Sequence, residues 1–209
     1  MTEEPASSSR FPPASSGDPG ARSQADGEAE PEPRIAVDLV EDGGDWSDVG
    51  DAAALAGAAA EAAARHAAVA ALLPLEPCEV AIALSSDEAV ARLNGTYRGK
   101  PKPTNVLSFP AAPGTPAATR DRGVSLGDIV LAAETVLSEA RESDTPPAHH
   151  FQHLVVHAVL HLVGFDHLTP ADAERMEAIE VDILGSLGIP DPYASSEPDD
   201  GETSSVRRP

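Results

Sequence analysis

The chain has 209 residues, of which 41% are hydrophobic, and a formal net charge of −21 at pH 7. This length suits one folded domain with tails, and no apolar run approaches the roughly 20 residues of a membrane span. The single cysteine, Cys78, excludes an intramolecular disulfide framework. The first residues have neither the basic nor the apolar region of a secretory signal peptide. We therefore expect a cytoplasmic protein that has no membrane partner.

Composition divides the chain into three parts. Residues 1–33 are rich in serine, proline, glycine and acidic residues. Such a segment cannot bury enough apolar surface to offset the entropy that it would lose on ordering. We expect a disordered acidic tail at residues 1–33, a single folded domain at residues 34–190, and a second disordered tail at residues 191–209.

Within the domain, hydrophobic patterns predict strands that alternate irregularly with helices. In chain order, the sequence predicts strand 35–40, helix 51–73, strand 78–84, helix 86–97, strand 104–109, a patternless linker 111–123, strand 126–131, and helices 132–141, 149–163 and 170–187. Helix 149–163 is apolar nearly all round, which is typical of a helix enclosed by other elements. The expected fold is therefore α/β (α+β), with a mixed four-stranded sheet and helices packed around a central histidine-bearing helix.

Closely spaced histidines in this central helix and just after it have the pattern of a metal site. His157 and His161 are four residues apart, so on a helix they project from one face, about 6 Å apart along the axis. A third ligand has to come from elsewhere, because His153 would lie roughly 12 Å along the helix from His161. Gly164 can adopt the left-handed conformation that ends a helix, which would carry His167 back towards the pair. A histidine on an apolar face is often only a core residue, but packing alone explains this spacing poorly.

The chemistry of these side chains favours zinc. Neutral imidazoles suit zinc or a similar borderline ion, whereas magnesium and calcium prefer oxygen ligands. Three protein ligands leave one tetrahedral position open, as in catalytic zinc sites, while structural zinc sites normally have four protein ligands. Peptidases with the H-E-x-x-H motif place a glutamate directly after the first histidine as the general base. Here that residue is Ala158, so peptidase chemistry lacks its base.

A basic stretch interrupts the acidic sequence. Residues 89–120 contain no aspartate or glutamate, and the cations among them are Arg92, Arg98, Lys100, Lys102 and Arg120. Phosphate binding is driven by cationic side chains, so the total charge alone would argue against a nucleic-acid partner. The positive charge of this stretch, in contrast, suits a nucleic-acid partner, and Arg92, Lys100 and Lys102 are candidate phosphate-binding residues. The alternative interpretation of the stretch is a solvated loop that happens to be basic.

Three separated segments carry a family likeness. They are residues 93–110 (LNGTYRGKPKPTNVLSFP), residues 126–131 (LGDIVL) and the histidine stretch 157–167. In this combination they resemble the YbeY-type endoribonucleases, bacterial metal-dependent proteins of ribosomal RNA maturation. Two positions depart from the family pattern: Ala158 stands where glycine is frequent, and Phe165 stands where tyrosine is usual.

The resemblance implies one zinc ion per chain, held by His157, His161 and His167, and a functional arginine at Arg98. It also implies a single-strand-specific endoribonuclease that acts in late maturation of small-subunit ribosomal RNA, at the 3′ end of 16S rRNA, and in ribosome quality control. The expected partners are single-stranded RNA, the small ribosomal subunit and an Era-type GTPase.

These observations together predict a zinc-dependent hydrolase of RNA phosphodiesters. Arg98 is the expected catalytic residue, because its planar guanidinium can hold two non-bridging phosphate oxygens at once. Asp128 and Asp166 are candidate general bases, although each is equally well explained as a turn or strand-end residue. The RNA 2′-hydroxyl competes with water as the nucleophile. Two other functions stay open: a ribosome-assembly factor with a structural zinc, and a zinc-dependent hydrolase of a non-RNA substrate.

Overall fold

The computed structural model describes residues 34–112 and 123–194. The predicted tail at residues 1–33, most of the predicted linker, Arg120 and residues 195–209 lie outside these ranges. Among the helices of the described ranges, none is long and apolar enough to span a membrane.

Four strands form one mixed sheet. They are β1 (Ile35–Glu41), β2 (Cys78–Ser85), β3 (Val106–Pro110) and β4 (Val124–Ala132), in the order β1-β2-β4-β3. Strand β2 is parallel to both β1 and β4, whereas β3 is antiparallel to β4. The predicted mixed four-stranded sheet is confirmed, and β3 lies at one of its edges.

The helices of the described ranges are α1 (Ala52–Arg65), α2 (Ala67–Ala70), α3 (Asp87–Arg98), α4 (Ala133–Glu142), α5 (Pro147–Leu162) and α6 (Pro170–Ser186). The prediction of a single helix over residues 51–73 was wrong, because the helix breaks at His66, whose backbone is extended. After this break Val69 and Leu73 enter the core. Tertiary packing therefore overrides the strong helical propensity of the alanine-rich run.

Helix α5 is the central helix of the domain, as predicted. It packs against α1, α4, α6 and strands β3 and β4. Its buried side chains come from all sides of the helix: Phe151, Gln152, Leu154, Val155, Val156, Ala158, Val159, Leu160 and Leu162. The histidines of this helix are therefore held on a rigid, enclosed element.

The two faces of the sheet bury different clusters. Ile129 and Leu131 of β4 belong to the main core, which includes the buried residues of α5. Val90 of α3 packs in a smaller cluster with Leu107 and Ala132. Edge strand β3 therefore lies between α3 on one side of the sheet and α5 on the other, so that residues from all three can border one groove.

Candidate metal centre

The side chains of His157 and His161 point their ring nitrogens at each other. Both lie on the exposed side of α5, one turn apart, and their Nε2 atoms are 3.1 Å apart. The rings meet edge to face, with centroids 4.6 Å apart and planes at 84°. The predicted pair on one helix face is thus present as a close, converging pair of nitrogens.

The hydrogen bonds on the other side of each ring decide which nitrogen carries the proton. Nδ1 of His157 lies 2.8 Å from a carboxylate oxygen of Glu180, and Nδ1 of His161 lies 3.0 Å from the backbone carbonyl oxygen of Phe165. A carboxylate or carbonyl oxygen only accepts hydrogen bonds, so each Nδ1 must donate. In the neutral rings, both Nε2 atoms are then bare acceptors that face each other.

Two facing lone pairs at this distance repel each other unless a proton or a metal cation lies between them. Two imidazole nitrogens bound tetrahedrally to one zinc ion at about 2.0–2.1 Å would lie about 3.3 Å apart, close to the observed 3.1 Å. Burial, followed by the neighbouring charge of His157, lowers the pKa of His161 below its ordinary value. The lowered pKa favours the neutral His161 ring, which is the form that binds a metal. The two residues fit a divalent metal.

The loop after α5 brings His167 to the same point. Helix α5 ends at Leu162, and Gly164 has a φ of 102°, in the left-handed region that glycine favours. A nitrogen atom from each of His157, His161 and His167 lies within 4.8 Å of the others, and no other metal-binding group of three is found among the described residues. The predicted helix end at Gly164 is confirmed, and the three predicted ligands form one cluster that could hold a metal.

A buried glutamate supports this cluster, and the sequence analysis missed it. Glu180 of α6 is 1% exposed. Its carboxylate accepts hydrogen bonds from His157, His153 and the hydroxyl of Tyr193. Burial alone would raise the pKa of Glu180, but these three hydrogen bonds hold that pKa at about 2. The signal in the sequence is an acidic residue in the apolar stripe of α6, beside Ile179 and Ile183.

The other histidines of α5 do not join the cluster. His153 lies one turn before His157 and bonds Glu180 at 3.1 Å. His150 bonds Glu139 of α4 at 2.9 Å, and burial lowers its pKa despite that carboxylate. Together with His149, these residues line a separate cavity of about 340 Å³. His153 is thus linked to the cluster through a carboxylate and not through a shared ion.

A groove of about 440 Å³ opens beside the cluster. It is lined by Arg98 at the end of α3, Ser108 and Pro110 of β3, and His161, Gly164, Phe165, Asp166, His167 and Leu168. Arg98 is exposed, and within residues 34–112 and 123–194 no carboxylate lies close enough to form a salt bridge with it. The groove therefore combines the Arg98 guanidinium, which has no salt-bridge partner among the described residues, with His161 and His167 of the cluster.

The remaining cations lie beyond the groove. Lys100 and Lys102 line a neighbouring cavity of about 500 Å³. Asn94 holds this loop: its side-chain amide donates to the Lys102 carbonyl oxygen at 2.8 Å, and its backbone carbonyl oxygen accepts from the Lys100 backbone N–H at 3.2 Å. Arg92 points elsewhere and pairs with Glu88 at 2.7 Å. None of the three predicted phosphate-binding residues lines the groove itself.

The two candidate general bases lie in different places. Asp166 lines the groove and accepts a hydrogen bond from the backbone of His167 at 2.7 Å. Asp128 lies opposite Phe109 of β3 and two residues before Val130 of β4. Phe109 and Val130 both pack against the cluster that contains Val90 of α3, so Asp128 lies on the α3 side of the sheet. Asp128 therefore projects away from the histidine cluster, which leaves Asp166 as the better placed of the two.

Comparison with known proteins identifies the family. The family model described as Endoribonuclease YbeY matches residues 50–188. A protein named Endoribonuclease YbeY from Azorhizobium caulinodans is 51% identical over 164 residues, which are 75% of this chain and 94% of that protein. Another of that name from Bradyrhizobium sp. is 51% identical over 120 residues, 57% of this chain and 71% of that protein.

The solution structure of a Thermotoga maritima protein aligns with 79% of this chain and with 99% of the Thermotoga chain. The sequence identity is 20% and the TM-score is 0.44, which is too low to establish a shared fold. The family model, in contrast, spans well over half of the chain and includes Arg98 and the histidine cluster. The chain therefore belongs to the YbeY endoribonuclease family.

Proposed function

We propose that this enzyme cleaves single-stranded RNA with one zinc ion held by His157, His161 and His167. Its proposed role is the late maturation of small-subunit ribosomal RNA, at the 3′ end of 16S rRNA, together with ribosome quality control in the cytoplasm. The small ribosomal subunit and an Era-type GTPase are the proposed partners, on the strength of the family resemblance.

The observation that carries this proposal is the pair of bare Nε2 atoms 3.1 Å apart, beside a groove that is also lined by Arg98. Nδ1 of each ring donates a hydrogen bond that orients the imidazole, so the fold itself holds the two bare Nε2 atoms close together. A zinc ion there would supply a Lewis acid that activates water and offsets negative charge on a phosphoryl oxygen. Imidazole ligands favour zinc over magnesium.

Arg98 has the chemistry that a phosphodiester substrate requires. Its guanidinium lines the groove and forms no salt bridge with a carboxylate of the described residues. A planar guanidinium can hold two non-bridging oxygens at once, and this contact strengthens as charge builds up on the phosphate in the transition state. We therefore assign Arg98 to phosphate orientation and charge stabilisation.

Asp166 is the proposed proton acceptor when water is the nucleophile, because its carboxylate lines the same groove as His161 and His167. The alternative nucleophile is the 2′-hydroxyl of the RNA itself. An RNA that carries one 2′-deoxynucleotide at the cleaved position separates the two routes, because it lacks the internal nucleophile and leaves attack by water intact.

The test of the function is turnover of one labelled RNA, free or annealed to its complement, by protein freed of contaminating nucleases. We expect cleavage of the free strand and little of the duplex, and no cleavage of either by His161→Ala purified in the same way. A ribosome-assembly factor with a structural zinc would bind RNA without turnover. Equal cleavage by wild type and His161→Ala would assign the activity to a contaminant.

The proposed path of the RNA backbone predicts a salt effect. Arg92, Lys100 and Lys102 are the proposed RNA-binding residues, and phosphate contacts by cations give a slope of about −0.7 per neutralised phosphate when log affinity is plotted against log salt. The double variant Lys100→Ala/Lys102→Ala should make the slope less negative, by the amount that corresponds to about one to two neutralised phosphates. The effect should be independent of RNA sequence, because phosphate contacts do not read bases.

The comparison variant is Arg92→Ala, which removes the third proposed RNA-binding cation, one already paired with Glu88. Because Glu88 offsets the charge of Arg92, we expect the double lysine variant to change the slope more than Arg92→Ala does. The measurement is a titration of one labelled single strand at several salt concentrations. An unchanged slope in the double lysine variant would mean that the stretch is only a solvated loop.

A further inference from the structure

Glu180 is the most deeply buried ionisable group next to the metal centre, and it makes no contact with the groove. It lies on α6 among the buried residues Met176, Ile179, Ile183 and Leu184, and only 1% of it is exposed. A carboxylate is rarely buried in this way unless all its acceptor positions are used. The partners of Glu180 therefore indicate what it does.

The two oxygens of this carboxylate divide three donors between them. One oxygen accepts from Nδ1 of His157 at 2.8 Å. The other accepts from Nε2 of His153 at 3.1 Å and from the Tyr193 hydroxyl. Because a carboxylate offers no proton, the ring of His157 must carry its proton on Nδ1. In the neutral ring, Nε2 of His157, the nitrogen that faces His161, then carries no proton.

Tyr193 comes from the segment after α6, which doubles back onto α5. Ile189 anchors this segment in the core, and the backbone N–H of Tyr193 donates to the Asp191 side chain at 2.8 Å. The Tyr193 ring meets His153 edge to face at 5.7 Å. The segment after α6 therefore reaches the carboxylate that holds His157.

We propose that Glu180 is a positioning residue that fixes the tautomer and orientation of His157 for metal binding, and that Tyr193 holds Glu180 in place for this task. The inference rests on the proposed metal site and extends it to two residues that touch neither metal nor substrate. It predicts that the metal affinity depends on a tyrosine hydroxyl 26 residues after the last proposed ligand.

The test compares zinc affinity, measured by competition with a chromophoric chelator, among three variants. Glu180→Gln should weaken zinc binding about 10–100-fold, the usual effect of removing a group that orients a metal-binding histidine. Tyr193→Phe should weaken it in the same direction but less, roughly fivefold, as expected for the loss of one hydrogen bond. Both should still bind one zinc at saturation, because all three ligands remain.

Two control variants match these changes. Glu174→Gln removes the same charge from an exposed position of the same helix, and Tyr97→Phe removes the hydroxyl of the only other tyrosine in the chain. Both should keep the wild-type zinc affinity. Retention of fold in each variant is checked by circular dichroism and urea unfolding.

Imidazole NMR of the metal-free wild type provides an independent test that does not need the Glu180 variant to fold. The His157 ring should be the tautomer protonated on Nδ1, and Tyr193→Phe should increase the fraction protonated on Nε2. A His157 ring protonated on Nε2 in the wild type, or unchanged zinc affinity in folded Glu180→Gln, would overturn the inference. Wild-type protein that binds no zinc would instead refute the proposed metal site itself.

Discussion

Replacement of Arg98 with alanine should lower kcat for single-stranded RNA by about 10²–10³-fold, the usual effect of removing one group that stabilises transition-state charge. Zinc content should stay at the wild-type level, because Arg98 lines the groove without belonging to the histidine cluster. The fold should also persist, since Arg98 is exposed at the last position of α3. The measurement is single-turnover cleavage at saturating RNA, with zinc content determined on the same preparation.

Two further variants make this result specific. Arg98→Lys keeps the charge but loses the planar fork, so it should recover little of the activity. Arg92→Ala removes a cation from the same helix that does not line the groove, and it should leave kcat close to wild type. A lysine variant with near wild-type kcat would mean that a diffuse positive charge is sufficient and that the bidentate contact is wrong.

The second large effect concerns the ligands. His157→Ala or His161→Ala should reduce bound zinc from about one per chain to a small fraction of that, because two remaining ligands hold the ion far less tightly than three. Turnover should fall to the background level with the metal. Metal analysis after dialysis against a weak chelator measures the first effect, and RNA cleavage the second.

His149→Ala is the matched control for the ligand variants. It removes an imidazole from the same helix, in a residue that lines the separate cavity near the start of α5. It should retain zinc and activity. Undiminished zinc in both His157→Ala and His161→Ala would remove these residues from the site, whatever their effect on cleavage.

The histidine pair could be predicted from sequence because it depends on local geometry. A spacing of four residues on a helix and a glycine after the apolar run are local features, and the left-handed backbone of Gly164 is also decided within the loop. The burial of α5 could also be predicted from local sequence, because apolar residues lie on every side of this helix.

Glu180 and Tyr193 could not be found in this way, because their contacts are not local. Glu180 is 23 residues from His157, and Tyr193 is 40 residues from His153. Only the packing of α6 and the following segment against α5 brings them together. The acid in the apolar stripe of α6 was a visible anomaly in the sequence, but the sequence did not identify the partner.

Asp128 shows how a single irregularity changes which side of a sheet a residue faces. The pairing of β4 with β2 contains a register shift, in which Ser125 pairs with Glu79 but Gly127 pairs with Val80. The extra residue, Leu126, shifts the alternation by one position. Without this bulge Asp128 would face α5, and with it Asp128 faces α3. Gly127, an isolated glycine inside the strand with a φ of 134°, is the kind of residue that marks such a bulge, but it does not indicate which side chains change face.

The most direct test of the account is a titration of zinc into metal-free wild-type protein, with cleavage of one labelled single-stranded RNA followed at each addition. If the ion held by His157, His161 and His167 serves catalysis, the rate should rise in proportion to bound zinc and level off at one equivalent per chain. The same titration of His161→Ala should give no comparable rise. Full activity in the metal-free wild-type protein, or a rate that starts to rise only after one equivalent has bound, would contradict the account.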